Sequence, residues 1–106
     1  MRKIVLVLIT AAAITSGLST AAEFTVEQKN DAFNPKTLKI KVGDTVNFRN
    51  ADAYYHNVFS LTDGQSFDLG SYSGGVTKKQ TFNKPGKVDV ECAIHADMKL
   101  TVEVSK

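Results

Sequence analysis

Tryptophan is absent from this 106-residue sequence, cysteine occurs once, and histidine and methionine occur twice each. A single cysteine excludes any disulfide within the chain, so a small fold must rest on its apolar core or on something it binds. Long apolar runs are also missing. The stretch from Ile4 to Ile14 falls short of the ~20 residues that a membrane-crossing helix needs. Nor is charge of one sign in large excess: 13 basic residues stand against 11 acidic ones. Nothing here resembles the clustered basic face that a nucleic acid would require.

What is present at the N-terminus has the order of an export signal. Arg2 and Lys3 precede the apolar run, and Thr20-Ala21-Ala22 supplies small residues for a signal peptidase. We expect residues 1–22 to be removed and residues 23–106 to form one domain. An uncleaved anchor is the alternative. No cysteine lies near the expected cut to carry a lipid. Loss of Arg2 and Lys3 leaves 11 basic against 11 acidic residues, a near-neutral mature chain. Export also places Cys92 in an oxidising compartment, where cysteines generally pair. An unpartnered one points to an intermolecular bridge, a reactive thiol or a metal ligand.

Past residue 22 the pattern is that of strands. Phe24 and Val26 alternate with polar residues, as do Leu38, Ile40 and Val42, then Val46 and Phe48. Val88, Val90 and Cys92 repeat this, followed by Met98, Leu100, Val102 and Val104. Such period-two runs indicate half-buried antiparallel strands. Asn34-Pro35, Gly43-Asp44, Asp63-Gly64 and Lys84-Pro85-Gly86 punctuate them. The stretch 62–76, rich in Gly and Ser, is the least regular, with Phe67 and Leu69 marking one short strand. About seven short strands with frequent turns predict an all-β sandwich or small barrel.

Four side chains past residue 22 are soft or borderline metal donors: His56, Cys92, His95 and Met98. Three of them fall within seven residues, Cys92-Ala93-Ile94-His95-Ala96-Asp97-Met98. Cys92 is in phase with Val88 and Val90 and so faces the core at the end of one strand. Met98 is in phase with Leu100 and Val102 at the start of the next, and His56 shares its phase with Val58. Taken singly, each has a plainer explanation: an inward cysteine or methionine is commonly core filler, and a histidine a satisfied loop or strand residue. Taken together they make two imidazoles, a thiolate and a thioether, the donor set of a blue-copper site. Zinc also accepts His and Cys, but it has no redox use for the site and seldom takes Met. Copper, cycling between Cu(I) and Cu(II), is the expected cofactor.

On GDTVNFRN, HNVFS and TFNKPGKVDVECAIHADM the chain resembles the cupredoxins, the small plastocyanin- and amicyanin-like members above all, from Phe24 to Val104. The Cys-x2-His-x2-Met spacing is similar to the short ligand loop of amicyanins, and small periplasmic methylamine-utilisation-like cupredoxins are similar too. The resemblance implies a Greek-key β-sandwich of about seven or eight strands with copper near one end. It implies His56 as the first ligand, with Cys92, His95 and Met98 before the last strand. Asn57 would tie the two ligand segments together, and Ile94, Ala96 and Ala53 or Tyr54 would form an apolar patch around the His95 edge. Ala96-Asp97 departs from the proline that commonly follows the second histidine in relatives.

The leading functional expectation is a periplasmic, monomeric one-electron carrier that exchanges electrons with a redox donor and an acceptor. It would transform no substrate and would have no membrane span after signal cleavage. The alternative is a copper delivery or buffering protein using the same ligands. A structural sandwich with an incidental site is a third class. Hydrolysis has little support, since Gly70-Ser71-Tyr72-Ser73-Gly74 does not match a nucleophile elbow.

Overall fold

The computed structural model describes residues 21–106, and most of the expected export signal lies outside the described residues. Nine strands are found among them: β1 (Glu23–Lys29), β2 (Ala32–Asn34), β3 (Thr37–Lys41), β4 (Thr45–Asn50), β5 (His56–Ser60), β6 (Phe67–Tyr72), β7 (Thr77–Thr81), β8 (Gly86–Glu91) and β9 (Lys99–Ser105). They form two sheets, a five-stranded one in the order β3-β9-β8-β5-β6 and a four-stranded one in the order β2-β1-β4-β7. The chain switches sheets between β2 and β3, β3 and β4, β4 and β5, β6 and β7, and β7 and β8. β9 runs parallel to β3, and β1 parallel to β4. The expected all-β Greek-key sandwich is what the chain forms.

Side chains that alternate toward the space between the sheets make the core: Val26, Phe33, Ile40, Val46, Phe48, Val58, Val88, Val90, Leu100 and Val102 are all buried. Covering a Val, Leu, Ile or Phe side chain stabilises the fold by about 1.5–3 kcal/mol, so this row of apolar side chains supplies most of the sandwich's cohesion. Val42 departs from the expected alternation. It lies past the end of β3 and is exposed. The pattern also leaves two strands unmarked. β2 is only three residues long, and β7 reads TKKQT, with no buried residue in it. β7 lies at the edge of its sheet and pairs only with β4. Lysines on such an edge discourage further strand pairing.

One pole of the sandwich collects the ends of β1, β4 and β8 and the starts of β5 and β9. Beneath this pole lies a buried polar truss. Gln28, on β1, is fully buried; its Nε2 donates to the Asn57 carbonyl at 3.2 Å, and its Oε1 lies 2.7 Å from the Tyr72 hydroxyl. Asn50, also fully buried, donates through Nδ2 to the Tyr54 carbonyl at 2.8 Å and to the Tyr72 carbonyl at 3.1 Å. Its Oδ1 accepts the Asp52 N–H at 2.9 Å. Satisfied buried amides of this kind fix a loop more sharply than apolar contact does. The loop they fix is 51–55, which leads into His56.

Candidate metal centre

His56 is the first residue of β5 and is fully buried, opposite Tyr72 of β6. The β5–β6 register slips between Asn57 and Phe59, with Gly70 at φ 75° on the facing strand. An extra residue in a left-handed conformation is how a strand absorbs a bulge, and glycine adopts it without strain.

Cys92 follows β8 and Met98 precedes β9, both buried. The antiparallel register pairs Glu91 with Lys99 and Val90 with Leu100. One step further along that ladder brings Cys92 opposite Met98. Opposed residues share a face, so both side chains point into the same core. The Cys92 N–H reaches the Met98 carbonyl at 3.4 Å, and the Met98 N–H donates to the His95 carbonyl at 3.0 Å. Residues 93–97 therefore arch over a closed base. Asn57 ties the arch to β5 by accepting the Ala93 N–H at 2.7 Å, while its own N–H lies 3.5 Å from Cys92 Sγ.

The Cys92 sulfur lies 3.9 Å from His56 Nδ1 and 3.8 Å from His95 Nδ1, and these three atoms lie within 4.8 Å of one another. Metal–nitrogen bonds of about 2.0 Å and metal–thiolate bonds of about 2.3 Å meeting at about 120° set such pairs about 3.8 Å apart. The three donors thus fit a trigonal metal ion, and Met98, opposite Cys92 on the ladder, is buried on the same face.

Two carboxylates that the donor pattern does not reveal stand behind the imidazoles. Asp52 Oδ2 lies 2.7 Å from His56 Nε2, and both side chains are almost sealed from solvent. A carboxylate accepting the Nε2 proton leaves the Nδ1 lone pair free for a metal. Burial alone would raise the Asp52 carboxyl, but hydrogen bonds from the Asn30 N–H, His56 and the Asp31 N–H hold it below its ordinary value. Asp31 Oδ1 lies 3.3 Å from His95 Nε2 and accepts the Tyr54 hydroxyl proton at 2.8 Å. That hydrogen bond to a carboxylate pushes the Tyr54 phenol up to about 12. The Tyr54 ring stands 5.2 Å from the His56 ring and 5.8 Å from the His95 ring, so it wedges against both. Asp52 sits four residues before His56 in a non-helical loop, where that spacing implies no contact. Asp31 meets His95 only through the tertiary fold. The one local signal was Asn30-Asp31, two residue types that tolerate the left-handed turn they adopt at φ 54° and 57°.

Gly74 completes the frame. A side chain there would collide with the backbone carbonyl oxygen of Asp52, so the 73–75 turn lies against the Asp52 loop only because residue 74 has no Cβ.

A sequence model of the copper-binding proteins of the plastocyanin/azurin family matches residues 20–105. Methylamine utilization protein MauL of Methylorubrum extorquens is 33% identical over 98 residues, covering 90% of this chain and 86% of that protein. A reduced amicyanin variant superposes with a TM-score of 0.72 at 26% identity, covering 77% of this chain and 81% of the other. The copper-containing nitrite reductase of Thermus scotoductus gives a TM-score of 0.75 at 27% identity over 92% of this chain. This chain spans only 25% of that enzyme. With the sandwich, the converging thiolate and imidazoles and these relatives in view, the chain belongs to the plastocyanin/azurin family of copper-binding proteins, the cupredoxins.

Proposed function

We propose that His56, Cys92, His95 and Met98 hold a single copper ion and that the domain from residue 23 to residue 106 is a periplasmic one-electron carrier. The observation that carries this reading is the pair of sulfur–nitrogen separations, 3.9 and 3.8 Å, at one buried pole. Copper bound there supplies a one-electron couple between Cu(I) and Cu(II). The chain's own contribution is rigidity. His56 is held by Asp52, Cys92 and Met98 are tied by their backbones, and Asn57 fixes the ligand arch. A frame already set in one geometry keeps rearrangement between oxidation states small.

The His95 ring is the donor group with an edge toward solvent, its side chain 25% exposed. Around it Ala53, Tyr54, Ile94 and Ala96 are exposed. This gives a small apolar surface on which a redox partner can seat close to the ligand. The reading assigns no catalytic residues, and the activity of the nitrite reductase relative stays with that longer protein. Residues 1–22 would serve as the domain's export signal; among the described residues, no helix is long and apolar enough to cross a membrane.

Burial favours the carrier over copper delivery. His56, Cys92 and Met98 are at most 2% exposed, so an acceptor protein meets only the His95 side. The test is retention. Copper-loaded protein is cycled with ascorbate and ferricyanide beside a Cu(I) chelator, and the metal left on the protein is measured. A carrier keeps its copper through repeated cycles. Loss to the chelator on the first reduction would assign the chain to delivery instead.

A further inference from the structure

The carboxylate over the exposed edge of His95 has no place in the donor set, yet it is not a loosely held surface group. Asp31 sits in a left-handed turn position at φ 57°, between paired β1 and β2. The Asp52 carboxylate ties that turn to the 51–55 loop by accepting the Asn30 N–H at 2.9 Å. Tyr54, from the same loop, donates its hydroxyl proton to Asp31 Oδ1 at 2.8 Å. That oxygen is the one 3.3 Å from His95 Nε2. Three segments far apart in sequence thus converge to hold one oxygen against one ring nitrogen.

We propose that Asp31 is a positioning residue for His95, with Tyr54 as its brace. Its carboxylate keeps the ring oriented with Nδ1 toward Cys92, and its negative charge stabilises the oxidised metal over the reduced one. This rests on the copper reading given above. The orientation follows from the two faces of an imidazole, since an acceptor at Nε2 favours the proton there and frees Nδ1. The charge effect follows from Coulomb's law, because a nearby anion is worth more beside a divalent than a monovalent cation. The contact is longer and more exposed than that of Asp52 with His56, so it acts on a ring that retains an open edge.

Asp31→Asn is the discriminating variant, because asparagine also tolerates the turn and can accept the Tyr54 proton while removing the charge. Cu(II) and Cu(I) affinities are measured by chelator competition for the parent, D31N, Y54F and, as a control, D97N. Asp97 is an exposed carboxylate two residues from His95 on the same loop. D31N should lose about tenfold in Cu(II) affinity and much less in Cu(I) affinity. A tenfold change in that ratio is an upward shift of about 59 mV in a one-electron potential. Y54F should shift in the same direction by less, and D97N should not shift. In the metal-free protein, 15N NMR should show His95 with its proton on Nε2 in the parent and a mixture of the two tautomers in D31A. An unchanged affinity ratio in D31N, or an equal change in D97N, would overturn the inference while the copper reading stands. A parent that binds no copper would overturn both.

Discussion

The two histidines of this site are held in opposite ways. His56 stands on a strand, fully buried, with a buried carboxylate 2.7 Å from its Nε2. His95 stands on an arch between strands, partly exposed, with an exposed carboxylate at 3.3 Å. One half of the site is therefore part of the fold's core and the other is part of its surface. A carrier needs both: a fixed donor that sets geometry, and an accessible one that brings the metal within reach of a partner.

That contrast predicts unequal losses. His56→Ala and His95→Ala should both abolish tight copper binding, because each removes a donor. Their effects on the metal-free protein should differ. Losing His56 leaves a cavity and a buried Asp52 oxygen without its partner, which costs about 2 kcal/mol. Losing His95 should cost no more than about 0.5 kcal/mol, as for an ordinary surface substitution. Urea unfolding of the two apo variants measures the difference, and equal losses would break the comparison.

Gly74→Ala should come next. Its new Cβ drives into the Asp52 carbonyl, so the loop behind His56 must shift at a cost of about 1–3 kcal/mol. The His56 NMR signals should move while those of His95 move less. Asn57→Ala should do the reverse, loosening the arch that carries His95 by removing the acceptor of the Ala93 N–H. A stability loss of about 1 kcal/mol is expected, with faster amide exchange at residues 93–97.

How much of this was legible in the sequence depends on the range of the contact. Alternation through Val88, Val90, Cys92, Met98, Leu100 and Val102 marks residues that are all buried, because strand phase is a local property. The four candidate donors could be named from residue type and spacing, and the fold brings His56, Cys92 and His95 to one point. β7 escaped because an exposed edge strand carries no apolar period. Asp31, Asp52 and the Tyr54 bond to Asp31 escaped because these contacts exist only where β1, the 51–55 loop and the 93–97 arch meet. The Gln28–Tyr72 pair escaped for the same reason, since it crosses between sheets.

The smallest predicted effect lies at the far pole. Asp44 is buried and accepts the N–H groups of Ala22 and Lys41, at 2.8 and 2.9 Å, and these bonds hold its carboxyl below its ordinary value. A depressed folded value stabilises the protein above the unfolded value of about 3.9, and that contribution is lost as pH falls through the folded one. In a chain that retains Ala22, Asp44→Asn should therefore flatten the acid limb of apo stability below about pH 4 and leave the copper pole unchanged. The Ala22 bond also bears on processing. A cut after Ala22 forfeits it, whereas a cut after Ala21 would retain it as an ammonium–carboxylate pair. The intact mass of the exported protein distinguishes the two.

The central claim, that His56, Cys92, His95 and Met98 hold one copper, is tested most directly by titrating Cu(II) into the purified 23–106 chain and recording visible absorption. An intense thiolate-to-copper band should saturate at one equivalent, bleach on reduction, return on oxidation and be absent from Cys92→Ser. No band in the parent, or an undiminished band in Cys92→Ser, would contradict the claim.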